Sequence, residues 1–129
     1  MNILDEQILE NQRQFLRGWR IPVRQIGYDI GRKGLKDKEI IPILLQFRKS
    51  TFFTLDFDFF EPRLCHAKYA IVCMDVGKYE AAVYIRRLLR HPDFDTIAKR
   101  MGNVIRLSSM RIGVWRLNAE VEAFIDWPF

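Results

Sequence analysis

Acidic side chains follow three apolar, strand-like runs of this 129-residue chain. Asp5 closes the first run, Asp56 closes the second with Asp58 two residues later, and Asp75 closes the third. Unpaired carboxylates near a core are costly unless they meet a cation, a hydrogen-bond donor or water. Hard divalent cations prefer such oxygen ligands. The pattern therefore predicts one acidic pocket that holds a divalent metal ion.

Each acid also has a purely structural interpretation. Asp5 can cap the helix that follows it, and Asp37 can cap a later helix in the same way. Asp56 and Asp58 can form a turn, because Asp often accepts hydrogen bonds from its own backbone there. For Asp75 a turn or a helix start is favoured over a metal role.

The elements that carry these acids follow from the spacing of apolar residues. The pattern predicts strands over residues 2–5, 21–26, 51–55, 69–74, 104–107 and 112–117, and helices over residues 7–19, from 37 to about 48, 78–90 and 94–101. Residues 27–36 hold three glycines and predict a loop, and residues 120–127 predict a terminal helical turn. Pro42 requires that the second helix either begins later than Asp37 or kinks. Glu6 is expected to face solvent.

Alternating strands and helices predict βαβ units and a mostly parallel sheet. In such sheets ligands bind beyond the carboxyl ends of the strands, where the strand order reverses. Asp5, Asp56 and Asp75 all fall at that edge. The prediction is thus an α/β domain whose acids meet at one edge of the sheet.

Size and composition limit the alternatives. With 49% hydrophobic residues, the chain is expected to form one domain over residues 1–129. No apolar run approaches the roughly 18 residues of a membrane span, and no secretory signal is visible, so a cytoplasmic location is expected. Cys65 and Cys73 could form one disulfide, Cys73 is expected in the core, and a zinc site beside His66 is not favoured because structural zinc usually needs four ligands.

The charge pattern points to a polyanion. The net charge is +5, and Lys and Arg cluster on the predicted helices and on the glycine loop. Any one cluster can be a solvated surface, but a basic surface beside an acidic pocket attracts a phosphate backbone to a metal. The chain has no dinucleotide or Walker glycine pattern and no nucleophile elbow.

Four short motifs resemble the PIN-like superfamily, and among its members the small bacterial proteins of toxin–antitoxin type. They are LDE at residues 4–6, GLKD at 34–37, TLDFDF at 54–59 and RIGVWRL at 111–117. The chain departs from the family pattern at Gln7, where Asn is usual, and at Pro42. The resemblance implies a PIN-like three-layer α/β/α sandwich with a mostly parallel central sheet.

The resemblance also implies a function, namely a Mg²⁺- or Mn²⁺-dependent endoribonuclease that acts as the toxin of a type II toxin–antitoxin pair. Its partners would be RNA, an antitoxin protein and a second copy in a homodimer. Asp5 and Asp56 would bind the metal directly, and Asp37 and Asp58 would bind it directly or through water; these four acids are the expected catalytic and metal residues.

Proximity to Asp37 nominates Arg32, Lys33 and Lys36 as contacts to the RNA. The alternatives are a non-catalytic RNA- or protein-binding module on the same fold and, less favoured, a metal-dependent phosphatase or DNA nuclease. The aromatic residues Trp115, Trp127 and Phe129 would either cover the end of the core or mark a partner surface.

Overall fold

One mixed, mostly parallel sheet forms the centre of the computed structural model, which describes residues 1–128. The strands of the described chain are β1 (Asn2–Leu4), β2 (Arg24–Gln25), β3 (Ser50–Thr54), β4 (Tyr69–Met74), β5 (Val104–Leu107), β6 (Arg111–Trp115) and β7 (Ala123–Asp126). They lie in the order β2-β1-β3-β4-β5-β6-β7. β1 to β5 are parallel to one another, whereas β6 is antiparallel to both of its neighbours, β5 and β7.

Helices cover both faces of this sheet. They are α1 (Glu10–Gly18), α2 (Asp37–Gln46), α3 (Ala81–Arg90) and α4 (Ile97–Arg100). Alternate residues of β4 enter two separate cores: Val72 packs with α1 and α3, while Ile71 packs with α2. The α/β class and the mostly parallel sheet are therefore confirmed, with helices on each side. Among the described residues no helix has the length and apolar character to cross a membrane.

The strand order reverses between β1 and β3. The chain leaves β1 for β2 on one side of it, and β3 then pairs with β1 on the other side. Register places Leu4 beside Phe53, so the carboxyl ends of the two strands lie at the same edge. Asp5 and Thr54 directly follow that pair, which puts the acidic motifs at the switch point of the sheet.

The predicted elements differ from the structure mainly at their ends. β4 and β5 have the predicted bounds, and α1 and α3 begin three residues later than expected. α2 begins at Asp37 and includes Pro42, so a later start is wrong. Pro42 is the sixth residue of this helix and therefore lies beyond its first turn. A proline within the first turn would cost no hydrogen bond of the helix, whereas one beyond it does.

The predicted helical turn over residues 120–127 is wrong, because Ala123–Asp126 is the edge strand β7. Its backbone pairs with β6, for example Phe124 with Gly113. Pairing with the preceding strand of the sheet overrides the local preference of so short a segment. Trp127 is buried and its indole N–H donates to the main-chain oxygen of Ser108, so it covers the core. Phe129 lies outside the described residues.

A buried glutamine of β2 holds the chain that follows β1. Gln25 is 1% exposed, and its Nε2 donates to the main-chain oxygens of Asp5 (3.0 Å) and Ile8 (2.7 Å). A longer bond of 3.3 Å reaches the oxygen of Glu6. This side chain supplies the donors that a non-repetitive segment beside the core needs.

Replacement of Gln25 by Leu is therefore expected to lower the free energy of unfolding by about 2–4 kcal/mol, since it leaves buried carbonyl groups without a donor. Urea denaturation measures this change. The control is Gln14→Leu on the exposed side of α1, which should stay within about 0.5 kcal/mol of the parent protein. Equal effects of the two variants would contradict the assigned role of Gln25.

Candidate functional site

Three carboxylates converge at the carboxyl edge of the sheet. Asp37, Asp56 and Asp58 each place one carboxylate oxygen so that the three oxygens lie within 4.8 Å of one another. Asp56 is half-buried, and the other two are exposed. We refer to these three residues as the acidic cluster. The structure thus brings together three of the four acids expected from the sequence.

A tight turn after β3 presents Asp56 and Asp58 side by side. Asp56 Oδ1 accepts the backbone N–H of Asp58 at 2.9 Å and so begins a short 3₁₀ turn, Phe57–Phe59. The turn is anchored by Phe59, which is 2% exposed and packs edge-on against Phe52. The turn interpretation of this pair is therefore confirmed, and the same turn brings both carboxylates into the acidic cluster.

Asp37 joins the cluster from the first turn of α2. The helix cap is Lys36, so the expected capping role of Asp37 is wrong. Glu39 accepts the N–H of Lys36 through Oε1 at 3.2 Å, and the N–H of Glu39 donates to the Lys36 oxygen at 2.8 Å. The carboxylate of Asp37 takes part in neither of these bonds, so it is available to a ligand.

The glycine loop before α2 is fastened to the end of β1 by Glu6. Glu6 is half-buried rather than solvent-facing, and its Oε1 accepts the N–H of Gly34 at 2.8 Å. Gly27 has a φ of 86°, and a Cβ there would come within 3.3 Å of the Glu6 side chain. Loop and strand end therefore pack closely, which fixes where α2 begins and where Asp37 stands.

Asp5 lies beside the acidic cluster but is not one of its three members. It is 7% exposed; its Oδ2 accepts the hydroxyl of Thr54 at 2.6 Å, and its Oδ1 accepts the N–H of Glu6 at 2.8 Å. The Thr54 hydroxyl in turn accepts the N–H of Asp56 at 3.0 Å. The carboxylate of Asp5 does not cap α1, whose cap residue is Leu9. Asp5 therefore connects to the cluster through Thr54, a residue of the TLDFDF motif for which the sequence predicted no role of its own.

Negative charge at this edge has little compensation. Burial, and then repulsion from Asp56 and Asp58, raises the pKa of Asp37. Within the described chain no Lys, Arg or His forms an ion pair with a member of the acidic cluster or with Asp5. Acids that repel one another without a cation are a favourable site for a metal ion.

The pKa of Asp5, the buried acid beside the cluster, is also shifted. Burial raises the pKa of Asp5, the hydrogen bonds from Thr54 and Glu6 oppose that shift, and repulsion from Asp56 and Asp37 adds to it. The charge also reaches the neighbouring strand. Burial first, and then Asp56 and Asp5, raises the pKa of the Cys73 thiol to about 12.

The donor set fits a hard divalent cation. All three cluster ligands are carboxylate oxygens, the type that Mg²⁺ and Mn²⁺ prefer. Oxygens on opposite sides of one Mg²⁺ lie roughly 4.2 Å apart, so a span of 4.8 Å closes with small side-chain rotations. Because Asp37 and Asp58 are exposed, water can complete the coordination. The acidic cluster could therefore hold one metal ion.

A cleft of about 430 Å³ opens beside the cluster. Asp37 and Asp58 form part of its wall, together with Lys38 and Arg63. Neither of these cations was predicted. Arg63 directly follows Pro62 in the loop after the acidic turn, and that position is the one signal that could have found it.

The three expected RNA contacts differ in their surroundings. Arg32 forms an ion pair with Glu39 at 3.1 Å, and Lys33 lies over the ring of Tyr28, 4.9 Å from its centroid. Lys36 makes no ion pair within residues 1–128. Lys36 is thus the most available of the three, and it is adjacent in the chain to Asp37.

The remaining candidates stay apart from the cluster. Asp75 is exposed, its N–H donates to the main-chain oxygen of Leu107 at 2.7 Å, and its carboxylate is not one of the three that converge. Cys65 and Cys73 are both free thiols, and Cys73 is fully buried as expected. The acidic cluster thus draws on the end of β3 and the start of α2, with Asp5 beside it at the end of β1, and not on three strand ends.

Comparison with protein families, with curated proteins and with solved structures gives no match to this chain. The resemblance to the PIN-like superfamily therefore rests on the four sequence motifs.

Removal of the Thr54 hydroxyl tests the link between Asp5 and the cluster. Thr54→Val keeps the shape but removes the hydroxyl that bonds to Oδ2 of the buried Asp5 and to the N–H of Asp56, so the free energy of unfolding should fall by about 1–3 kcal/mol. Mn²⁺ affinity should fall by about 10-fold, as for residues that orient metal ligands. Thr54→Ser, which keeps the hydroxyl, is the matched control. Calorimetric titration and urea denaturation measure both quantities, and equal behaviour of the two variants would refute the link.

The raised pKa of Asp37 predicts a pH dependence of stability without divalent ions. A carboxyl group with a higher pKa in the folded state binds its proton more tightly there, so stability falls as the pH rises through that pKa. Asp37→Asn should therefore gain stability relative to the parent between its ordinary value of 3.8 and neutral pH. Urea denaturation in EDTA measures the difference. The gain in stability should shrink when Asp56 is also replaced by Asn. A difference in the free energy of unfolding that is the same at all pH values would contradict the raised pKa of Asp37.

Proposed function

We propose that this protein is a metal-dependent endoribonuclease that uses Mg²⁺ or Mn²⁺. The observation that carries the proposal is the convergence of Asp37, Asp56 and Asp58, which form no ion pair with a cation of residues 1–128, at the switch point of a mostly parallel sheet. Buried or clustered charge of one sign is expensive unless it serves a ligand. A divalent ion both relieves this repulsion and performs phosphodiester chemistry.

The residues of the chain divide the work between them. Asp37, Asp56 and Asp58 would hold the cation, and Asp5 would keep Asp56 in place through Thr54, since Thr54 bonds to both. When bound, the cation supplies Lewis acidity that generates a nucleophile from water and neutralises charge on a phosphate. Exposure of the cluster leaves room for a substrate phosphate at that point.

Cations around the cleft favour a polyanionic substrate. Lys38 and Arg63 lie on its wall, Lys36 lies at the start of α2, and the net charge of +5 attracts phosphates over a longer range. Arg32 and Lys33 lie on the glycine loop that precedes α2, and they would contact the RNA backbone farther from the acidic cluster. RNA as the substrate, an antitoxin as the inhibitor and a homodimer as the assembly are proposals that come from the sequence resemblance.

Neutralising one carboxylate at a time tests the nuclease. Asp37→Asn and Asp56→Asn should each lower the cleavage rate of a labelled single-stranded RNA in Mn²⁺ by at least about 100-fold, because each removes charge that holds the cation. Asp75→Asn is the matched control, since Asp75 is an exposed acid at the next strand end and lies outside the cluster. Parent-like cleavage by both cluster variants would sink the assignment.

A non-catalytic RNA- or protein-binding module is the competing function. The same preparation distinguishes the two in a calorimetric titration with MnCl₂. Heat of binding that is lost in Asp56→Asn supports the nuclease, whereas RNA binding with no metal binding at about 1 mM supports the module.

A further inference from the structure

We propose a second binding site, for a small organic carboxylate, at the opposite edge of the sheet. A cavity of about 410 Å³ lies there, within the range of small-molecule sites. Asn2 and Arg24, which begin β1 and β2, form part of its wall. Since parallel strands begin at one edge and end at the other, this amino-edge cavity lies at the end of the sheet opposite to the acidic cluster.

A buried arginine at this cavity carries the proposal. Arg100 is 6% exposed and belongs to the cavity lining. Its Nε donates to the hydroxyl of Thr51 at 3.0 Å, and its Nη1 donates to the main-chain oxygen of Phe94 at 2.8 Å. These two bonds fix the plane of the guanidinium, while Nη2 makes no hydrogen bond within residues 1–128.

No anion of the described chain neutralises that guanidinium. Arg100 forms no ion pair within residues 1–128, and Asp95, the acid that acts on it electrostatically, is paired with Lys99 at 2.9 Å. Burial lowers the pKa of Arg100. A buried charge without a counter-ion is costly, and a bound anion that accepts from Nη2 would offset that cost.

Other charges around the cavity have the same sign. Arg24 is exposed at its rim. Burial, and then the charge of Arg100, lowers the pKa of the α-amino group of Met1, so positive groups here repel one another. Within residues 1–128 the cavity lining contains no Asp or Glu. An anion is therefore the complementary ligand, and not a cation as at the acidic cluster.

The aliphatic residues of the cavity wall indicate which class of anion fits. Pro22, Val23 and Ile97 line the cavity with aliphatic surface. Inorganic phosphate has no apolar part to cover that surface, whereas a carboxylate on a short branched aliphatic chain matches both the guanidinium and the walls. We choose a carboxylate of about six carbons as the probe, because a molecule of that size fits inside a site of this volume.

Calorimetric titration of the protein with 4-methylpentanoate tests the site. The neutral 4-methylpentanamide has nearly the same shape, so it should bind at least about 10-fold more weakly if the charge of Arg100 is used. Equal affinity of acid and amide, tighter binding of inorganic phosphate than of the carboxylate, or no binding of the acid up to about 10 mM would each overturn the proposal.

Two variants place the ligand in the cavity. Arg100→Gln should abolish the preference for acid over amide. Ile97→Trp changes a residue that is 40% exposed, leaves the buried guanidinium in place and should weaken binding by about 10-fold by filling the cavity. If Arg100→Gln does not fold, Ile97→Trp still tests the site. Unchanged affinity of that folded variant for 4-methylpentanoate would show that the ligand binds outside this cavity.

The acidic cluster supplies the control. Asp56→Asn should bind 4-methylpentanoate as the parent does, since it changes the other edge of the sheet. A loss of carboxylate binding in that variant would contradict an independent site. If the protein does not cleave RNA, the binding of 4-methylpentanoate is still expected. The two proposals can therefore be refuted independently of each other.

Discussion

One hydroxyl group joins the two strands at the switch point of this sheet. Thr54 donates to the buried carboxylate of Asp5 and accepts from the backbone N–H of Asp56. A carboxylate at 7% exposure needs donors, and its second donor is the N–H of Glu6. Because Thr54 ends β3, the partner of Asp5 also sets where the acidic turn begins. The geometry of the candidate metal centre depends on that bond.

Polar side chains hold the remaining irregular segments at the same edge. Gln25 supplies donors to the chain after β1, and Glu6 fastens the glycine loop whose end starts α2. The acids therefore stand on segments with satisfied backbone groups, which suits a site that must stay in place. Burial raises the pKa values of Asp37 and Asp5, and repulsion from the neighbouring carboxylates adds to both shifts. Stability is reduced at this edge in a way that a cation would reverse.

The strongly periodic parts of the sequence predicted their own structure. β4 is a continuous apolar run, and a strand buried on both faces needs such a run whatever its neighbours are. Helix ends were less predictable, because the charges and caps that end a helix compete with contacts from elsewhere. β7 was predicted as helical because its four residues acquire strand structure only by pairing with β6. Arg63 follows the acidic turn and Lys38 lies in the first turn of α2, and their meeting at the cleft depends on tertiary packing, which apolar periodicity does not encode.

Apolar period and residue type are local properties, so they were enough to predict the α/β class, the mostly parallel sheet and the acids that follow its strands. The sequence also nominated Asp37, Asp56 and Asp58 as partners. The folded chain shows in addition that these three converge, that Asp5 lies beside them and is joined to them through Thr54, and that Asp75 stays apart. The reason is that distances between strand ends depend on strand order and register, and hydrogen bonds such as those of Thr54 and Gln25 join residues far apart in the chain.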